Sequence, residues 1–276
     1  MRIRKIAGGD PHAVRSRSLR EAPRDPQFVE SIGRGFGILE AFTTRDTMLG
    51  NQEIAERAGL PRPTVSRLTH TLTQLGYLEY LPRFAKYQLG IAAVALGQLA
   101  LANMTVRGIA QPIMQAVAQR LGTSVSLGRR DRLSMLYVGH CQPPSAVALQ
   151  LGLGSRIPLA ITAMGRAYYA VASAEERAAI ERQIQERFPE RWAAARAGLR
   201  EAVDMHAALG FTVSIGDWNR EVHAAGAAII LPEGGIAAFN CGAPAFMLNR
   251  EQVLREAGPG VAEVARRVQN LASGRG

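Results

Sequence analysis

The stretch that most constrains this chain is residues 51–75, NQEIAERAGLPRPTVSRLTHTLTQL, which reads as two short helices joined by a tight turn. Ile54, Ala55 and Ala58 give the first helix a small apolar face. Gly59 supplies a residue that tolerates positive φ, the usual way for a backbone to leave a helix, and Leu60 plugs the corner. Pro61 and Pro63 suit the start of the next helix, where a missing N–H costs no intrahelical bond. The second helix is expected to bury Val65, Leu68, Leu72 and Leu75 as one stripe. Its other face presents Arg62, Thr64, Ser66, Arg67, His70 and Thr71. Side chains this short, or cationic, let a helix approach a DNA major groove and offer donors to base edges and phosphates. The competing reading is a pair of core helices in an ordinary bundle.

The flanks fit the same unit. Ile32, Phe36, Leu39 and Phe42 or Thr43 recur at helical spacing, so a helix is expected to about residue 42. Its glycines, Gly33, Gly35 and Gly37, do not make a phosphate loop: no strand precedes them, the spacing is wrong and no Lys-Ser/Thr follows. Close packing against neighbouring helices is the expected reason for them. Past Gly76, the runs 77–80 and 86–89 flank Pro82-Arg83 and predict a β-hairpin, the wing of a winged helix. Arg83 and Lys86 near its tip are placed for phosphates or the minor groove. Residues 89–104 predict a helix that is apolar nearly all round, which must be covered by something. A twin copy of the chain is one such cover, since a two-fold operator calls for a two-fold protein.

Net charge supports an anionic partner. The 276 residues carry +10; residues 1–90 hold 14 Lys+Arg against 9 Asp+Glu, the other 186 hold 19 against 14. The excess is therefore about twice as dense in the N-terminal third. Residues 1–25, basic and poor in apolar side chains, are expected to be a disordered tail. Cys141 and Cys241 are too few for a disulfide framework or a zinc cluster and point to a reducing cytoplasm. The N-terminus has no apolar core of a secretory signal, and the longest apolar run is too short to span a membrane.

From about residue 105 the pattern changes to an α+β one. A helical stripe at Ile109, Ile113, Val117 and Leu121 precedes strand-like runs at 123–128, 133–138 and 146–152. Helices are expected at 162–171, from a Ser173-x-x-Glu176 capping box to about 188, and at 191–209. Strands return at 211–215, 224–231 and 236–241, and Asn249 caps a last helix to about 271. A largely antiparallel sheet flanked by helices follows. The expected domains are the tail, a winged helix-turn-helix over 26–90, a helix over 91–105 lying between two domains, and an α+β domain over 106–276. No cofactor motif is present.

The segments FVESIGRGFGILEAF, EIAERAGLPRPTVSRLTHTLTQLGYLE and LGLGSRIPLAITAMGRA, with the closing strand and helix, resemble the IclR-type transcriptional regulators in order and spacing from Gln27 onward. The spacing of Ala55, Gly59 and Val65 is likewise similar to the helix-turn-helix signature of bacterial regulators. The resemblance implies a cytoplasmic, ligand-responsive regulator that binds a palindromic site on double-stranded DNA as a homodimer or homotetramer. It implies an effector pocket at the junction 162–166, where helix N–H groups attract a carboxylate. Ala163 and Met164 would offer backbone contacts and Gly165 close approach; Asp217, Ala224, Phe239 and Cys241 fall near the other pocket positions. Relatives that sense small keto acids have Cys where Ala224 aligns and Ser where Phe239 and Cys241 align. A larger or more apolar acid, aromatic or branched, is therefore expected.

Two other classes compete. An enzyme is disfavoured because no nucleophile elbow, zinc helix or P-loop occurs. His140 and Cys141, adjacent on a strand, point to opposite faces. A sequence-indifferent architectural DNA-binding protein would have no use for a second domain of this size.

Overall fold

The computed structural model describes residues 26–44, 46–143, 149 and 151–274. The basic tail at 1–25 and most of the run at 146–152 lie outside them. The chain divides into two compact units, one ending at Asn103 and the other running from Met104.

The first unit holds α1 (Glu30–Leu39), α2 (Asn51–Ala58), α3 (Arg62–Gln74), β1 (Leu78–Leu81), β2 (Lys86–Leu89) and α4 (Ile91–Ala102). Ile38, Leu49, Ile54, Val65 and Leu78 form its core. Gly59 ends α2 at φ +66°, and Leu60 N donates to Ala55 O at 3.1 Å, closing the turn as expected. β1 and β2 pair antiparallel from Leu78↔Leu89 to Leu81↔Lys86 and are joined by a 3-10 turn, Pro82–Phe84.

Two helix faces differ from the sequence pattern. On α1, Ile38 is buried and Ala41 just beyond it is too, whereas Phe36 is 56% exposed and Ile32 is exposed with it. A Cβ on Gly35 or Gly37 would meet nothing within 4 Å, so close packing does not explain these glycines. On α3 the buried line is Val65, Thr69 and Leu72, with Leu68 half-buried and Leu75 61% exposed. Thr69 can stand in that line because its hydroxyl donates back to Val65 O at 2.9 Å, which removes the cost of burying it. Helix α4 has no buried residue within the chain.

The second unit is built on a six-stranded antiparallel sheet ordered β5-β4-β3-β8-β7-β6. Its strands are β3 (Ser124–Asp131), β4 (Ser134–Cys141), β5 (Arg156–Pro158), β6 (Thr212–Ile215), β7 (Val222–Ile230) and β8 (Ile236–Pro244). Helix α6 (Ala163–Val171), backed by α8 (Trp192–Leu209), covers one face. Helices α5 (Thr105–Leu121) and α10 (Gly258–Ala272) lie against the other face of the sheet. Helix α7 (Ala174–Arg187) starts at its Ser173 cap, and Asn249 and Gln252 close a reciprocal capping box before α9 (Arg250–Gln252). The edge strand is β5 rather than the run at 146–152, whose described residues 149, 151 and 152 are not in a strand. No single helix among the described residues is long and apolar enough to cross a membrane.

Candidate nucleic-acid interface and ligand cleft

In the first unit, α3 presents Arg62, Ser66, Arg67, His70 and Thr71 exposed, with Thr64 half-buried beside them. Neither Arg62 nor Arg67 forms an ion pair among the described residues, so both guanidinium groups are available to phosphate or guanine. Thr71 donates its hydroxyl proton to Arg67 O at 3.0 Å and keeps only acceptor capacity. Arg83 is exposed in the hairpin turn, its guanidinium 5.7 Å from the Phe84 ring centre. Lys86 is different: its Nζ lies 3.0 Å from Glu53 Oε2, tying the hairpin to α2 and neutralising its charge. The Gly50 N–H, then Lys86, hold the Glu53 carboxyl below its ordinary range.

A second clamp, which nothing in the local pattern signals, holds the α1–α2 connection. Arg57 donates to both Asp46 oxygens, at 2.5 and 3.0 Å, and to Ala41 O at 2.9 Å. Hydrogen bonding from Arg57 first, then from Thr43, brings Asp46 down to about 2 against the opposing effect of burial. The turn that sets α2 against α1 is thus held by charge as well as by apolar contact.

In the second unit a cleft of about 500 Å³, counting space open to solvent, lies between the sheet and the N-terminus of α6. Apolar walls come from Leu149, Leu151, Ile157, Trp218, Val222 and Ala224. Polar groups come from Ser126, Tyr137, His140, Thr162, Ser214 and Asn240. Their arrangement follows from register. Thr212↔Gly226, Gly226↔Asn240, Asn240↔Ser126 and Ser126↔His140 pair across five strands, making one rung of the sheet. Gly226 lies directly beneath the start of α6: a Cβ there would stand 2.5 Å from Ala163 C and 2.8 Å from Met164 N. Only a glycine lets the helix N-terminus sit this close to β7.

A bulge brings two of the polar groups to the cleft. The register between β3 and β4 shifts after Leu127↔Gly139, so that Gly128 pairs with Tyr137 and Val138 is skipped. Tyr137 and His140, three residues apart, therefore face the same side, as strand alternation alone would not allow. Ser126 Oγ lies 2.9 Å from His140 Nδ1, and Asn240 Nδ2 donates to Tyr137 Oη at 3.0 Å. Burial pushes the Tyr137 phenol up to about 12, so it stays protonated.

The expected pocket residues separate accordingly. Ala163 and Ala224 line the cleft. Met164 is fully buried, and Gly165 makes room not for a ligand but for Leu159, whose carbonyl carbon would be 2.5 Å from a Cβ there. Asp217 accepts from Arg166 Nη1 at 2.8 Å and from Ile215 N at 3.2 Å, anchoring the loop that carries Trp218 into the cleft wall. Phe239 and Cys241 face away from the cleft: the Cys241 thiol sits 2.8 Å from Thr123 Oγ1, and burial raises it to about 11. Asn240 and Gly242 are the β8 residues that reach the cleft, one position out of step with Phe239 and Cys241. The site is thus more polar than Ala224, Phe239 and Cys241 implied. Among the described residues no group of three or more His, Cys, Asp or Glu is arranged to hold a metal.

The helix N-terminus offers the means of binding an anion. Thr162 caps α6, its hydroxyl accepting from Gly165 N at 3.3 Å and donating to Pro158 O at 2.6 Å. The N–H groups of Ala163 and Met164, in the first turn, have no intrahelical acceptor.

A winged-helix unit with a bare polar recognition helix, followed by a separate sheet domain whose cleft combines apolar walls with a few polar groups, defines a transcriptional regulator that carries its own sensor domain. The IclR helix-turn-helix domain pattern matches residues 31–82, and the pattern of the bacterial transcriptional regulator IclR C-terminal domain matches 98–270. The chain belongs to the IclR family of transcriptional regulators. It is similar to the HTH-type transcriptional regulator TsaQ1/TsaQ2 of Comamonas testosteroni, with 32% identity over 87% of each chain. It is similar to an IclR family regulator structure from Brucella abortus, with 39% identity, a TM-score of 0.80 and coverage of 92% of this chain and 97% of that one. The fold is also that of an IclR homologue from Microbacterium hydrocarbonoxydans crystallised with 4-hydroxybenzoate, at 22% identity, a TM-score of 0.66 and coverage of 89% and 98%.

Proposed function

We propose that this regulator senses a small carboxylic acid with an aromatic or branched apolar body, bound in the cleft with its carboxylate at the N-terminus of α6. The observation that carries the reading is the start of α6, seated on Gly226 with the Ala163 and Met164 N–H groups without helix partners, beside apolar walls that include Trp218. The 4-hydroxybenzoate held by the Microbacterium protein is of the same chemical class, although that likeness is one of fold.

Output goes through residues 26–90, the DNA-binding domain of this reading. Two recognition helices enter successive major grooves of a palindromic operator, with Arg62, Thr64, Ser66, Arg67, His70 and Thr71 as contacts and Arg83 on the flanking backbone. Lys86 braces the wing against Glu53 rather than reaching DNA. The protein acts as a homodimer or a pair of dimers, joined in part through the linker at 91–105. Helix α4 supports this, since Ile91, Val94, Leu96 and Leu99 are all at least half exposed. Ligand in the domain at 106–276 shifts DNA-competent against incompetent states by its differential affinity for the two.

Footprinting with and without ligand tests the output: a short palindromic protected site whose occupancy changes with acid supports the reading, and uniform coverage of DNA refutes it. A thermal-shift screen of organic acids tests the input, because a bound effector raises apparent stability. Stabilisation by glyoxylate- or pyruvate-sized acids alone would exclude the apolar body.

A further inference from the structure

Building on the reading of the cleft as an acid-binding effector site, we infer that its ligand carries a hydroxyl group in addition to the carboxylate, and that Asn240 selects for it. Asn240 is left incomplete by the protein. Its Nδ2 donates to Tyr137 Oη, while Oδ1 is buried and has no hydrogen-bond partner among the described residues. Buried side-chain acceptors are rarely left so, and the group lines the cleft rather than the core. Turning the amide over does not cure the deficit, because one of its two polar atoms faces Tyr137 and the other is then still alone.

The surrounding hydroxyls are committed elsewhere. Ser126 Oγ is bonded with His140 Nδ1, Ser214 Oγ donates to Ile161 O at 3.1 Å, and Thr162 Oγ1 donates to Pro158 O. The missing partner therefore comes from whatever fills the cleft. Asn240 pairs with Gly226, the residue beneath the α6 N-terminus. Adjacent strands are about 4.8 Å apart, so the unsatisfied amide lies roughly one strand spacing from the carboxylate position, with Ser126 about one spacing further along the rung. A molecule the size of a single ring reaches both.

The chemistry of the second group follows from its neighbours. A hydroxyl can donate to an amide oxygen or accept from an amide nitrogen, so it satisfies Asn240 in either orientation. An ammonium could also donate, but it would place a positive charge facing the positive end of α6. A second carboxylate has no proton to give Oδ1. A hydroxylated organic acid meets all three conditions.

Matched acids distinguish this inference from the reading beneath it. Calorimetric titration of the full chain would compare benzoate with meta- and para-hydroxybenzoate, phenylacetate with para-hydroxyphenylacetate, and the branched 3-methylbutanoate with 2-hydroxy-3-methylbutanoate. The wild-type protein is expected to bind at least one hydroxy acid about tenfold more tightly than its parent, the worth of one good hydrogen bond. Asn240→Leu should bring that ratio to near one by weakening the hydroxy acid alone. Asn240→Ala, which deletes the amide without filling its space, gives the same readout if leucine disturbs the sheet. Equal binding of parent and hydroxy acids by the wild type overturns the hydroxyl inference and leaves the acid site standing. A ratio preserved in both variants overturns the role of Asn240. If none of these acids binds, both readings fall.

Discussion

Replacing Gly226 with alanine tests the geometry on which the cleft depends. Its φ is not positive, so the backbone can accept a side chain, and the change would by itself stabilise the fold by about 0.4–1 kcal/mol through the unfolded chain. The added Cβ, however, would stand 2.5 Å from Ala163 C, against the 3.4 Å at which ordinary contact begins. The obstacle is backbone on both sides, a strand below and a helix terminus above, and neither can rotate away. Overpacking of this kind costs about 1–3 kcal/mol. The net expectation is a loss of roughly 1–2 kcal/mol, a fall in melting temperature of roughly 2–8 °C for a unit of this size. Because α6 must lift by about 1 Å, the bond from Thr212 Oγ1 to Ala163 O, now 2.8 Å, should lengthen and acid affinity should fall about tenfold. Fluorescence is the suitable probe, since the two tryptophans, Trp192 and Trp218, both lie in the unit from Met104 onward and Trp218 lines the cleft. Gly108→Ala is the control: Gly108 is exposed in α5 with nothing within 4 Å of a Cβ, and should gain about 0.5–1 kcal/mol. If Gly226→Ala and Gly108→Ala shift stability alike, or Gly226→Ala binds acid as the wild type does, the steric reasoning is wrong.

Other consequences are open to measurement. Arg67→Ala should cost about 1–3 kcal/mol of operator affinity and relax preference at one base; an equal loss on all sequences with a shallower salt dependence would assign Arg67 to phosphate. Leu99→Glu changes a side chain 63% exposed on α4, so fold stability should stay within about 0.5 kcal/mol while sedimentation shows dissociated subunits; an unchanged mass would remove α4 from the interface. Asp46 is held at about 2 in the folded state, below its ordinary carboxylate value of 3.8, so its contribution is present above about pH 4 and lost as pH falls towards 2. With Arg57 partly exposed and screened, Asp46→Asn should cost roughly 1 kcal/mol at pH 7, read by amide exchange in α2, and the difference from wild type should vanish near pH 2. A penalty of the same size at both pH values would show that the clamp is not electrostatic.

Much of the fold is legible from local pattern, because caps, turns and periodicity act over a few residues. Gly59, Ser173 and Asn249 end or start helices where their chemistry requires it. The faces that helices bury were less legible. Ile32, Phe36 and Leu75 have the spacing of a core stripe, yet stand exposed within the chain, because apolar spacing marks a face to be covered without saying by what. Thr69 was invisible as a core residue because its burial depends on a hydrogen bond to its own helix.

The cleft shows where local information stops. Residues 162–166 identify a capped helix N-terminus, since the residues that make it are contiguous. The rest of the wall is set by register between strands far apart in the chain. A displacement of one residue turns a strand's side chains to the other face, so Phe239 and Cys241 lie against the helical layer and Asn240 lines the cleft. Likewise, only the skipped pairing at Val138 puts Tyr137 beside His140.

Sequence alone therefore determined a helix-turn-helix with its hairpin wing, a separate α+β domain, and the capped start of α6. Tertiary structure decided which polar groups share the cleft, because pairing register and a single bulge, neither written in any local run of residues, choose the face on which each side chain emerges.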